Sequence, residues 1–142
     1  MTLPAAPVAL AAGDEMPTEV VGPLTRTDFV RYAGAGGDFN PLHHDDELAR
    51  AAGRPSVFGM GMLHAGMLGT RLARWVGPDN VRSYTVRFTG QVWPGDVLSL
   101  DGRVDAVEPG EGLPVARLSL TVTRQTGEVV LRATASAVVA AT

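Results

Sequence analysis

Gly61-Met62-Leu63-His64-Ala65-Gly66-Met67-Leu68-Gly69-Thr70-Arg71-Leu72-Ala73-Arg74-Trp75-Val76 reads as one helix, and its composition says what must surround it. Leu63, Met67, Leu68, Leu72 and Trp75 recur at helical spacing, while Arg71 and Arg74 fall in the last turns, where cations suit the helix dipole. Ala65, Gly66 and Gly69 are the unusual part. A glycine inside a helix costs roughly 1 kcal/mol relative to alanine, so these residues point to something passing close to the backbone, such as an enclosing sheet or a ligand.

Downstream the chain is strand-like. Segments 81–91, 96–107, 115–125 and 128–139 are rich in Val, Leu and Thr, and the breaks carry Pro94-Gly95-Asp96, Pro109-Gly110-Glu111-Gly112 and Thr126-Gly127, the last a tight hairpin. Upstream, Glu19-Val20-Val21 reads as a short strand closed by Gly22-Pro23. Thr25-Arg26-Thr27-Asp28 resembles a capping box that opens a helix through about Ala33, with aspartate in place of the usual Glu or Gln. Gly34, Gly36 and Gly37 are expected to stop that helix, and Asp45 or Asp46 to cap a second short one through Ala52. One main helix followed by a run of antiparallel strands defines the class as α+β. Residues 1–13, Ala-rich and interrupted by Pro4 and Pro7, read as a flexible N-terminal tail, and residues 14–142 as a single domain.

Between the two upstream helices lies the chemistry-bearing stretch, Gly36-Gly37-Asp38-Phe39-Asn40-Pro41-Leu42-His43-His44-Asp45-Asp46. Asp38 and His43 are five positions apart, a spacing that shares no face of a helix and opposes the two across a strand. Pro41 blocks both regular forms, and a bend at Asn40-Pro41 is able to bring the pair together. A carboxylate and an imidazole converging on one water make an acid/base unit that works near neutral pH.

Gly37-Asp38-x-Asn40-Pro41-Leu42-His43 resembles the hydratase signature of the MaoC-like, (R)-specific enoyl-thioester hydratases and dehydratases, which have the hot-dog fold. Asp28 to Ala33 upstream, Gly61-Met62-Leu63 at the start of the central helix, Val86-Arg87-Phe88 and Pro94-Gly95-Asp96 extend the likeness over roughly residues 14 to 140. Length and layout are similar to the short single-hot-dog dehydratase subunits of actinobacterial type. The resemblance implies a curved antiparallel sheet wrapped around the long helix. It also implies hydration of trans-2-enoyl thioesters to (3R)-3-hydroxyacyl thioesters, or the reverse, with Asp38 and His43 gripping the water. Gly61 becomes the candidate donor to the thioester oxygen, through the free amides and dipole at a helix start. Asn40 is expected to orient the loop or the water, and Met62 and Gly66 to position substrate. Two residues depart from the family pattern: Met60 stands where a histidine is common, and Gly66 where some relatives carry serine.

Composition narrows the alternatives. A net charge of −3 with mixed signs argues against a nucleic-acid surface, and no apolar run reaches bilayer length. Zero cysteines exclude disulfides, thiolate zinc sites and a thiol nucleophile, and are compatible with the cytoplasm. No cofactor or metal is expected: His44 with Asp45 and Asp46 suggests a cluster, but a solvated helix start explains the acids. His64 reads as a packing residue or a tunnel lining, and Met60, Met62 and Met67 as core that also suits a variable acyl chain. Arg54, Arg82 and Arg87 are surface cations free to meet the phosphates of coenzyme A or an acyl carrier protein. One hot-dog sheet leaves an edge open, so a homodimer or a heterodimer with another hot-dog subunit is expected. The competing readings are an accessory, non-catalytic subunit and a hot-dog thioesterase.

Overall fold

The computed structural model describes residues 2–142, in the order β1 (Glu15–Val21), α1 (Arg26–Gly36), α2 (Asp46–Ala51), α3 (Gly61–Val76), β2 (Val81–Phe88), β3 (Leu98–Glu108), β4 (Val115–Arg124) and β5 (Val129–Val138). The strands form one antiparallel sheet of order β1-β3-β4-β5-β2, so the two strands that come first in the chain hold its outer edges. The alternation of β4 shows how the sequence builds the inner face: Ala116, Leu118, Leu120 and Val122 are buried while their neighbours face outward. Against that face lie Ala65, Leu68, Leu72 and Val76 of α3, completing the core with Leu98, Leu100 and Leu131. This is the sheet-wrapped helix of the hot-dog fold.

The close approach expected at the interior helix glycines is real at Gly69 but not at Gly66, and it is found as well at Gly61, where the helix starts. A Cβ on Gly61 would lie 2.7 Å from a ring carbon of Phe88, and one on Gly69 would lie 3.1 Å from the ring of Tyr84, whose hydroxyl donates to the Ala65 carbonyl at 2.7 Å. Gly66 is different: a Cβ there meets nothing within 4 Å.

Besides β2 ending at Phe88 rather than at 91 and β3 starting at Leu98 rather than at 96, three differences from the sequence expectation bear on the fold. The first strand is longer than Glu19–Val21. Its pairing with β3 resumes from Met16 to Glu19 across a bulge holding Pro17, a residue without an N–H that an edge strand tolerates. Helix α1 runs through Gly34 and Gly36 and stops only at Gly37, whose φ of +70° is the left-handed conformation glycine favours at a helix end. Residues 4–13 of the expected tail lie along the domain, and Met1 lies outside the described residues. Leu10 is buried in the core, the Gly13 amide donates to Val104 O at 2.8 Å, and the Ala140 amide donates to Val8 O at 2.9 Å. Among the described residues no helix is long and apolar enough to cross a membrane.

Candidate active site

The acid/imidazole loop begins where α1 ends. Thr25 and Asp28 close a capping box at the start of that helix, and the left-handed turn at Gly37 releases the chain at Asp38. The Asn40 side-chain carbonyl then accepts from the Leu42 amide at 3.1 Å, capping a single 3-10 turn over Pro41–His43 with proline at its first position. That turn carries His43 back over Asp38, leaving Nε2 3.5 Å from Oδ2. Asn40 also donates its own amide to Asp38 Oδ1 at 3.3 Å. Its side-chain oxygen is taken up by the turn, and Asn40 is not among the residues that line the cavity.

His43 is fixed from its other side. Nδ1 lies 2.7 Å from the Phe58 carbonyl, an acceptor only, so when the ring is neutral Nδ1 carries its proton and Nε2 turns a lone pair towards the Asp38 carboxylate. The Phe58 ring meets the imidazole edge-on, with centroids 5.1 Å apart. Two acceptors 3.5 Å apart do not bond each other, but one water donating a hydrogen to each satisfies both.

The segment carrying Phe58 is held by Asp46, the first residue of α2. Its carboxylate accepts from the Val57 amide at 3.0 Å and pairs with Arg26 at 2.9 Å, and these bonds, the amide's first, hold its carboxyl below the usual range. Asp45 caps α2 through the Glu47 and Leu48 amides. Of the two acids that suggested a metal cluster, Asp45 is thus taken up in capping α2, and Asp46 in binding the Val57 amide and Arg26.

Asp38, His43, Gly61 and Met62 all line one cavity of about 630 Å³. Helix α3 starts in its wall: Met60 supplies no side-chain cap, and the Gly61 and Met62 amides lie in the first turn, where an α-helix has no acceptor of its own. Gly66, the other expected positioning residue, is not brought to this cavity and instead lines a separate cleft of about 390 Å³ with Tyr32, Leu63 and Arg74. Arg54 stands at the cavity rim, its guanidinium 5.8 Å from the Phe58 ring and donating to Gln91 at 3.2 Å. Arg82 instead donates to the Asp79 carbonyl, and Arg87 lies across from Arg132 on β5.

Phe58, Trp93 and Glu128 also line the walls without having been singled out in the sequence, and Phe88, quoted there only for the family likeness, lines them too. Trp93 is placed by a buried knot: its amide donates to Asp96 Oδ2 at 2.7 Å, and the same carboxylate takes two bonds from Arg124, at 2.7 and 3.0 Å, and one from Gln125 at 2.8 Å. Burial opposes ionisation of Asp96, but these donors, Arg124 foremost, outweigh it and keep the carboxyl below its ordinary value.

His64 also reaches the cavity wall. It is only 2% exposed, neither ring nitrogen has a hydrogen-bond partner, and burial pushes its pKa down to about 4, so the ring is neutral. A buried polar group left unpaired costs about 1–3 kcal/mol.

An α+β hot-dog domain with a carboxylate and an imidazole facing one another beside an uncapped helix start defines the class. Residues 8–126 match the family model described as "MaoC like domain", and the chain belongs to that family. Among curated proteins it is 40% identical over 77 residues to 3-hydroxyacyl-thioester dehydratase X of Mycobacterium tuberculosis, covering 54% of this chain and 26% of that protein. It is 35% identical over 97 residues to dehydratase Y of the same organism, covering 66% of this chain and 33% of that one. The chain therefore spans a quarter to a third of these two relatives. The R-hydratase PhaJ1 of Pseudomonas aeruginosa, in its unliganded form, shares the fold with a TM-score of 0.79 at 24% identity, over 94% of this chain and 84% of that one.

Proposed function

We propose that this chain adds water to trans-2-enoyl thioesters, giving (3R)-3-hydroxyacyl thioesters, and runs the same reaction backwards as a dehydratase. The observation that carries the reading is the Asp38–His43 pair, 3.5 Å apart in a cavity shared with the uncapped start of α3. A water held between Oδ2 and Nε2 has an oxygen lone pair left for C3. As the C3–O bond forms, the water gives one proton to the pair, and the electrons of the double bond move towards the thioester oxygen. There the Gly61 and Met62 amides stabilise the developing charge. The pair then returns a proton to C2, so the sum is the addition of one water. The two relatives named as 3-hydroxyacyl-thioester dehydratases support the substrate class, and the (R) stereochemistry accords with the name of the R-hydratase that shares the fold.

The thioester carrier is coenzyme A or an acyl carrier protein, and the working unit pairs two hot-dog subunits. The likeness in fold to a chain of the ChsH1–ChsH2 complex of M. tuberculosis, at a TM-score of 0.80 and 23% identity over 92% of this chain and 99% of that chain, supports the heteromeric form of that pairing. Purified protein mixed with a short trans-2-enoyl-CoA tests the reading. Loss of the conjugated enoyl absorbance without release of free thiol is the expected result. Thiol release would make the chain a thioesterase, and inertness until a second subunit is added would make it an accessory partner.

A further inference from the structure

His64 is the one buried side chain among the described residues whose polar atoms all lack a partner, and it lines the cavity that holds the acid/imidazole pair. A position serving packing alone is better filled by leucine or phenylalanine, because burying an imidazole forfeits its hydration with nothing in return. What its partner is follows from its surroundings. His64 stands three residues after Gly61 on the same face of α3, and a helical side chain leans back over the preceding turn, so the ring lies near the helix start. The thioester oxygen, which every substrate carries, is already supplied there by the first-turn amides. The imidazole lies instead against Phe88, edge to face with centroids 6.1 Å apart, and the same phenyl ring presses on Gly61. Phe88 is the last residue of β2 and 48% exposed in the single subunit, so its ring is not locked into the core.

We propose that His64 is a specificity residue: with the Phe88 ring turned aside, its imidazole hydrogen-bonds an oxygen carried by the acyl group beyond C3. Hydroxylated or oxo-substituted enoyl thioesters are then preferred over plain alkyl ones. This rests on the hydration reading of the same cavity.

The test compares trans-2-octenoyl-CoA with its hydroxylated derivatives, one for each carbon from C4 to the chain end. Wild type is expected to favour at least one derivative over octenoyl-CoA by about tenfold in kcat/KM, the strength of one added hydrogen bond. His64→Leu loses that preference while still hydrating octenoyl-CoA, His64→Gln keeps part of it, and Phe88→Ala, which uncovers the imidazole, retains it. A wild type that hydrates the whole panel equally overturns the proposal. So does a preference that survives His64→Leu, or a His64→Leu enzyme slowed by the same factor on every substrate, which would put the ring on the shared thioester. A wild type inert towards octenoyl-CoA and every derivative is a different failure, that of the hydration reading beneath.

Discussion

Two substitutions ask whether Asp38 and His43 act on one water or merely close a turn. Asp38→Asn keeps the shape and an acceptor for the Asn40 amide but removes the charge, and His43→Gln keeps a polar group near the Phe58 carbonyl but no imidazole. Each is expected to lower kcat on an enoyl-CoA by at least about a hundredfold, the lower end for positioned acid/base groups, while urea denaturation stays within about 1 kcal/mol of wild type. The double variant should be little worse than either single one, since groups acting as a unit are not additive. Full activity in both single variants ends the assignment. Gly61 makes a second, purely steric prediction. A methyl there meets Phe88 ring carbons at 2.7 and 2.9 Å, so Gly61→Ala must displace that ring and is expected to cost about 1–3 kcal/mol. Phe88→Ala in the same chain should recover most of the loss, and a double-mutant cycle in urea measures the coupling. Strict additivity would show that the ring is not what forbids the side chain.

At the scale of elements, the Asp96 knot ties the β2–β3 connection to the end of β4, and through the Trp93 amide it holds one wall of the cavity. The Asp96 side chain is 4% exposed, so Asp96→Asn leaves Arg124 beside a neutral amide and is expected to cost about 3 kcal/mol at neutral pH. The sign with pH follows from the lowered carboxyl. Its contribution is complete above the ordinary value of 3.8 and is lost as the pH falls from there through the folded-state value, where the wild-type carboxyl also becomes neutral. Urea midpoints of both proteins should therefore differ by a constant amount from neutral pH down to about that value and converge below it; a gap unchanged in stronger acid would remove the charge from the explanation.

The same scale separates what the sequence exposes from what it hides. The bounds of α3 are legible because Gly61 and Gly77 punctuate a strong apolar period, and the convergence of Asp38 on His43 because proline and asparagine act within two residues of themselves. The Phe58 carbonyl that orients His43 is 15 residues away, and the Phe88 ring comes from another strand. A carbonyl has no residue type to betray it, and a glycine does not announce its neighbour. Gly61, Gly66 and Gly69 look alike in the chain, yet only the first and last are pressed by aromatic rings.

For the whole molecule, the two free edges of the sheet are not equivalent. The β1 edge is interrupted by the bulge at Pro17, whose carbonyl is taken by Arg71 at 2.7 Å, and the Thr18 hydroxyl is turned to Asp101. Proline and bulging are how natural edges are kept from pairing with other chains. The β2 edge has no proline; it bonds β5 on one side in nearly continuous register from Ser83 to Phe88, and it carries Phe88, which is half exposed beside the exposed Met62 at the cavity. An open edge next to apolar cavity residues favours joining β2 to the equivalent strand of a second hot-dog subunit, which also covers the cavity mouth. Around a two-fold axis a residue near the middle of β2 comes close to its own copy, and like charges facing across a strand pair repel. Thr85, exposed at that position, provides the test: Thr85→Asp is expected to turn a wild-type dimer into a monomer by light scattering at micromolar concentration, with turnover reduced because the cavity loses its cover. A wild type that is monomeric and active alone, or a variant whose mass does not change, would separate the chemistry from the pairing. A wild type that is monomeric and gains activity only when a second hot-dog subunit occupies the edge would make that subunit the physiological partner.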